Sequence, residues 1–461
     1  MFREEIENHP AGEKKPSYVS TRNACKLCSP LGASVVFKGI RGCLPMLHGS
    51  QGCATYIRRY MISHYKEPVD IASSNFSEET TIFGGGKNFC DGIDNVISQY
   101  KPEAIGIAST CLSETIGEDI DGLISSYSTL HSGRQLPKFF HARTPSYKGT
   151  HMDGFHEAVF SVVSSLAKNK FTGNHINILP GFVSPADLQN LKRILNGFGI
   201  RFIMLPDYSD TLDGTNWSEY QLIAEGGTPV EEITYTGSAK ATIELGNIFN
   251  TPQTAGTWLQ EHCDVANVRL NMPIGIKQSD ALINTLENLS GLPSPESFKK
   301  QRGRLIDAYV DGHKYVSGKK AVVYGEEDLV ISLVAFLSEI GIQTVLAGSG
   351  AESNRLEQSI KGIIGEIPET MTIMNGLDFE GLNEMADRLQ PDFFIGNSKG
   401  YYIAHRLKVP LIRVGFPIHD RFDGQRIQVL GYDGTQQLFD RIVNALIEYK
   451  QENSPVGYKY I

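Results

Sequence analysis

At 461 residues the chain is long enough for about three domains of ordinary size. Its 41% hydrophobic and 21% charged content is that of a folded globular protein and excludes extended disorder. A net charge of −9 excludes the basic faces that nucleic acids and acidic membrane surfaces select, and no stretch approaches the roughly 20 apolar residues that a membrane span needs.

Residues 1–20 are polar and charged and offer no apolar core for a secretory signal, so a cytoplasmic location is expected. The first chemistry-bearing segment is Asn23-Ala24-Cys25-Lys26-Leu27-Cys28-Ser29-Pro30-Leu31-Gly32-Ala33. A zinc ribbon would need a second C-x-x-C, which the sequence lacks. A thioredoxin-like motif would open a helix with small residues between its cysteines. The Pro-Leu-Gly that follows suggests instead a loop that lets backbone approach a bulky ligand.

The run His48-Gly49-Ser50-Gln51-Gly52-Cys53 then leads into the helical pattern Ala54-Thr55-Tyr56-Ile57-Arg58-Arg59-Tyr60. A thiolate at Cys53 would gain from the positive end of that helix and from Arg58 and Arg59 beyond it. The plain alternative is a core cysteine after a tight turn. The glycines of Phe83-Gly84-Gly85-Gly86-Lys87-Asn88 lack the spacing of a phosphate loop and follow no convincing strand. Ala104–Ala108 reads as a strand that delivers Cys111 to its carboxyl end, with Ser113 or Thr115 placed to cap the next helix. Ser146, in the turn Arg143-Thr144-Pro145-Ser146-Tyr147, becomes a candidate ligand only in company with those cysteines.

Further strands are expected at Ile176–Leu179, Phe202–Leu205, Lys320–Gly325, Phe393–Ile395 and Leu411–Val414. A helix closing at Gly341 follows Gly325, with a second strand after it. Apolar runs alternating with helical stretches indicate βαβ units, so the expected fold is α/β, with three Rossmann-like domains built on parallel sheets flanked by helices. The expected limits are 1–168, 169–300 and 301–461, with Gly291 to Arg304 as a joining segment. His405, His419 and Asp420 fit a polar interface rather than catalysis, and no hydrolase constellation stands out.

Six of the seven cysteines lie at or before Cys111. Core packing does not explain that clustering, whereas a soft-metal or iron–sulfur site needs several thiolates from one region. The odd count in a cytoplasmic chain makes a disulfide framework improbable.

Taken together, these motifs resemble the β-type subunits of nitrogenase component 1. The resemblance runs from Cys28-Ser29-Pro30-Leu31-Gly32-Ala33 and His48–Cys53 through Phe83-Gly84-Gly85, Thr110-Cys111-Leu112-Ser113-Glu114 and Thr144-Pro145-Ser146-Tyr147. It continues through Leu179-Pro180-Gly181-Phe182-Val183 to Arg413-Val414-Gly415-Phe416-Pro417. It implies that Cys28, Cys53 and Cys111, joined by Ser146, hold iron of a cluster shared with an α-type homologue in a heterotetramer, and that Cys25, Cys43, Cys90 and Cys263 do not.

Two branches of the family are in view. Asn23–Cys28, Tyr56–Tyr60 and Ser454-Pro455-Val456-Gly457-Tyr458 look like the scaffold subunit of iron–molybdenum cofactor biosynthesis (NifN, with NifE as partner). There the resemblance implies a [4Fe–4S] cluster, with the cofactor precursor held mostly by the partner and the nitrogenase iron protein as a further partner. The complete cysteine set with Ser146 looks like the β chain of a catalytic nitrogenase (NifK, with NifD) or of a nitrogenase-like reductase, which implies an [8Fe–7S] cluster and an ATP-dependent reductase. Nitrogen fixation is the expected setting of both.

Overall fold

The structure is a computed structural model describing residues 24–168, 173–249 and 253–455. Three parallel sheets organise the chain. The first holds β1 (Cys43–His48), β2 (Ala72–Ser73), β3 (Ala104–Ser109) and β4 (Lys138–Ala142), in the order β2-β1-β3-β4. The second holds β5 (Ile176–Leu179), β6 (Phe202–Met204), β7 (Ala241–Leu245) and β8 (Ala266–Leu270), in the order β6-β5-β7-β8. The third holds β9 (Lys320–Gly325), β10 (Gln343–Ser349), β11 (Thr372–Met374), β12 (Phe393–Gly396) and β13 (Leu411–Arg413), in the order β11-β10-β9-β12-β13.

Parallel strands covered by helices on both faces need no polar alternation. β3 and β5 are accordingly buried throughout, and β9 from Ala321 to Gly325. The helix Glu327–Glu339 follows β9, and β10 begins at Gln343, in agreement with the pattern around Gly325 and Gly341.

Other expectations land differently. The stretch Gly291 to Arg304 is mostly helix, since Glu296–Val316 forms one continuous helix after Pro295. Residues 169–172, where the middle domain was expected to start, lie outside the described residues. So do Asn23 and residues 456–458 of the carboxyl-terminal motif.

The three sheets meet through buried polar contacts at strand ends. His151 Nε2, on the helix His151–Leu166 after β4, lies 3.0 Å from Glu326 Oε1 after β9. Asp328 Oδ1 accepts the backbone N–H groups of Asn247, at 2.7 Å, and Ile248, at 3.1 Å, after β7. Asp187 Oδ1 accepts those of Val429, at 2.8 Å, and Leu430, at 2.9 Å. Burial pushes both aspartates up to about 6, outweighing the N–H groups that favour their charged forms.

Among the described residues no helix is long and apolar enough to cross a membrane.

Candidate metal centre

Cys28, Cys53 and Cys111 all stand at helix amino termini, where unpaired backbone N–H groups favour negative charge. Cys28 is the N-cap of the helix Ser29–Lys38, Cys53 is the third residue of Gln51–Tyr65, and Cys111 is the first of Cys111–Ile116. Two of these helices leave the carboxyl ends of neighbouring strands, β1 and β3, whose last residues His48 and Ser109 are in register. Ser146 follows β4, the next strand along.

Hydrogen bonds between the strand ends fix this edge. Thr110 Oγ1 donates to the His48 carbonyl at 3.0 Å. A Cβ on Gly49 would stand 2.2 Å from the same Oγ1, so only glycine allows the two loops to come this close. The Thr144 N–H donates to Ser109 Oγ at 2.8 Å, and Thr144 Oγ1 to the Ser109 carbonyl at 2.6 Å. The cap of the Cys111 helix is Thr110, closed by Ser113 through a capping box. Thr115, the other expected capping hydroxyl, instead donates to the Cys111 carbonyl at 2.6 Å.

Cys28 reaches the edge because its helix packs backbone to backbone on His151–Leu166. A Cβ on Gly32 would fall 1.7 Å from the His151 carbonyl oxygen. The His151 N–H also donates to the Leu27 carbonyl at 3.0 Å.

Ser146 links two of the cysteine segments. Its Oγ accepts the Ser29 N–H at 3.1 Å, and its own N–H donates to Cys111 Sγ at 3.2 Å. Cys53 is joined to this group only through the strand-end contacts, and its sulfur accepts from Ser50 Oγ at 3.5 Å. All three thiols are exposed, and Ser146 is half-buried. Among the described residues no three Cys, His, Asp or Glu side chains converge as a closed metal site. The thiols line an open edge, with exposed Tyr56 one turn beyond Cys53 and exposed Tyr147 beside Ser146.

The other cysteines are placed differently. Cys25, Cys43 and Cys263 are buried and Cys90 is half-buried. Burial drives the thiols of Cys25 and Cys43 up to about 12, favouring their protonated forms.

The glycine run is also structural. The Gly85 N–H donates to Glu118 Oε1 at 2.6 Å, a carboxylate where a phosphate loop would need its anion. Asp420 is held by Arg413, whose Nη2 lies 2.6 Å from Oδ2, and that guanidinium lowers the carboxyl against the effect of burial. His419 lies against Tyr60 with the rings tilted by 58°, and His405 stacks on Tyr401.

Sequence reasoning missed Lys399, on the short turn Ser398–Gly400 after β12. Its ammonium lies 5.7 Å from the centre of the Tyr60 ring. The one available signal was its position beyond the carboxyl end of a parallel strand.

Three parallel α/β sheets with an edge of exposed thiols on the first define a class of α/β subunit that offers thiols outward, and the comparisons narrow it. The family model for nitrogenase component 1 type oxidoreductase matches residues 28–447. The nitrogenase molybdenum-iron protein beta chain of Clostridium pasteurianum is 35% identical over 429 residues, 92% of this chain and 93% of that one. That of Azotobacter vinelandii is 33% identical, covering 94% of this chain and 86% of its own length. A solved structure of nitrogenase Cp1 at pH 6.5 superposes with a TM-score of 0.93 at 33% identity, over 97% of this chain and 98% of that chain. The chain belongs to the nitrogenase component 1 family, as a β-type subunit.

Proposed function

We propose that Cys28, Cys53, Cys111 and Ser146 form this chain's half of an iron–sulfur site, completed by an α-type homologue in a heterotetramer. The carrying observation is the open edge itself: three exposed thiols at helix amino termini, with the Ser146 amide donating to Cys111 Sγ at 3.2 Å. Thiolates are the ordinary ligands of iron–sulfur clusters, and a half-site facing outward calls for a second chain to close it. Exposed Tyr56 and Tyr147 beside the thiols suit such a contact, because aromatic side chains are enriched where subunits meet. When bound, the cluster supplies electron storage and relay. The chain contributes thiolate ligands, backbone N–H groups that offset their charge, and burial once the partner docks.

Within the family we assign the chain to scaffold duty: the complex would hold the iron–molybdenum cofactor precursor, mostly in the α-type partner, while it matures. This rests on the sequence motifs Asn23–Cys28, Tyr56–Tyr60 and Ser454-Pro455-Val456-Gly457-Tyr458, which resemble scaffold subunits. The second reading is a catalytic β chain relaying electrons through an [8Fe–7S] cluster to the active cofactor. Ser146 beside Cys111 and the 35% identity to a molybdenum-iron protein beta chain favour it.

Anaerobic co-purification with the α-type partner, with iron and sulfide analysis and EPR, separates the two. The scaffold reading expects about four interface irons per heterodimer and no substrate turnover. About eight irons, with reduction when the iron protein and ATP are added, would replace it with the catalytic reading. A colourless, iron-free complex would overturn both.

A further inference from the structure

His48, the last residue of β1, is fully buried, and both its carbonyl and its ring reach the helix Cys111–Ile116. The carbonyl accepts Thr110 Oγ1 at 3.0 Å, and Thr110 caps the amino end of that helix. The ring Nε2 lies 3.4 Å from Oε2 of Glu118, the residue after the C-cap Gly117. Glu118 is itself held: its N–H donates to the Ser113 carbonyl at 3.0 Å, and its Oε1 accepts the Gly85 N–H at 2.6 Å. One residue therefore grips both ends of the short helix that carries Cys111.

The other side of the ring faces the segment that leads to Cys53. Its Nδ1 lies 3.0 Å from Ser74 Oγ, and the same Oγ accepts the Gly49 N–H at 3.0 Å. The Ser74 hydroxyl proton then points at Nδ1, which leaves the ring proton on Nε2, directed at Glu118. The Gly49 carbonyl is taken by Ser73 Oγ and by the Phe76 N–H, each at 3.0 Å. Cys53 stands four residues beyond Gly49.

The ring has no room to turn away. Phe76 and Phe89 meet it edge-on, with ring centres 4.8 Å and 5.1 Å distant. A Cβ on Gly85 would stand 2.4 Å from the Phe76 ring and 3.1 Å from His48 Cε1. Burial lowers the ring's affinity for the proton, outweighing the bond to Glu118 that raises it, so the ring is neutral at neutral pH. A buried polar group is costly unless it is bonded, and a satisfied network fixes one arrangement of the segments it joins.

We propose that His48 is the positioning residue of the half-site, joining the Cys111 helix to the Cys53 loop so that the two thiols keep one spacing. This rests on the reading of Cys53 and Cys111 as cluster ligands. Residues that orient metal ligands from behind tune the metal without touching it. His48 acts through the two loops, and its own bonds go to Thr110, Glu118 and Ser74. Replacing a neutral ring with another neutral side chain alters no charge at this residue, so a displaced potential reports geometry.

The test uses the anaerobically purified complex with the α-type partner, carrying the wild-type chain, His48→Gln or His48→Leu. The glutamine amide can stand in for the Nε2–H donor toward Glu118, whereas leucine has no donor. Iron and sulfide are quantified, and EPR is recorded through a potentiometric titration. The expected result is wild-type iron in all three, a broadened EPR signal with a displaced midpoint in His48→Leu, and the wild-type signal and midpoint in His48→Gln. Loss of iron from His48→Leu with retention in His48→Gln also supports the role. An iron-replete His48→Leu with the wild-type signal and midpoint overturns it. So does the same change in both variants, which would make the ring a matter of packing. A wild-type complex without iron overturns the ligand assignment and this inference with it.

Discussion

The carboxyl ends of the first and third sheets are built alike and used oppositely. Both are strand ends of parallel sheets that feed helix amino termini, the position where α/β folds collect ligands. At the first, Cys53 and Cys111 stand exposed, with Cys28 brought in from a packed neighbour. At the third, Glu326 and Asp328 turn inward to the first and second sheets, and Glu327 accepts from Ser353 after β10 of the third sheet itself. Helix amino termini favour negative charge in both places. What separates the outward thiol edge from the internal junction is exposure and donor softness, and on the proposed reading the soft thiols suit iron while a buried carboxylate suits backbone N–H groups.

Exchanging residue types tests this contrast, and the largest effect belongs to the outward edge. Cys53→Ala is expected to abolish iron binding in the complex with the α-type partner. It should leave the stability of the chain within about 0.5 kcal/mol, as for an exposed position. Iron analysis and denaturant unfolding on the same preparation check both halves. Full iron retention would remove Cys53 from the ligand set.

The support beneath that edge should respond in the reverse sense. Gly32→Ala places a methyl 1.7 Å from a backbone oxygen that has no rotamer to retreat into. A loss of about 3 kcal/mol or more is expected, with iron lost as a consequence because Cys28 moves with its helix. Denaturant unfolding measures it, and a change below about 0.5 kcal/mol would mean that the two helices can part freely.

Much of this layout was legible beforehand, and the exceptions have physical causes. β5 and β9 announce themselves because both faces are buried and the residues are apolar. β1 hides behind Pro45, which argues against a strand between two neighbours. The structure accommodates it because β2 pairs only from Met46 onward, so the missing N–H is not demanded on that side. β11 is a short, half-exposed edge strand without an apolar run. At the site, clustering singled out the cysteines, but no local pattern reports a contact such as Ser29 with Ser146, 117 residues apart.

The smallest of these effects tests the inward region through pH. Asp328 has its carboxyl raised from 3.8 to about 6 by burial, so the folded chain binds a proton that the unfolded chain has already released across that interval. Stability from this group is therefore complete below about pH 4 and drains away as pH rises through 6, by about 3 kcal/mol at most. Asp328→Asn cannot titrate, yet its Oδ1 can still accept the N–H groups of Asn247 and Ile248. The variant should show a shallower decline of stability between pH 4 and pH 7 than wild type, measured as the difference between two denaturation series in matched buffers. Exposed Cys53→Ala, run in parallel, should follow the wild-type slope, because its thiol takes no part in the junction. Identical slopes for Asp328→Asn and wild type would mean that the two N–H groups, and not burial, govern the buried carboxylate, and the third sheet's strand end would then be as tolerant of charge as the first.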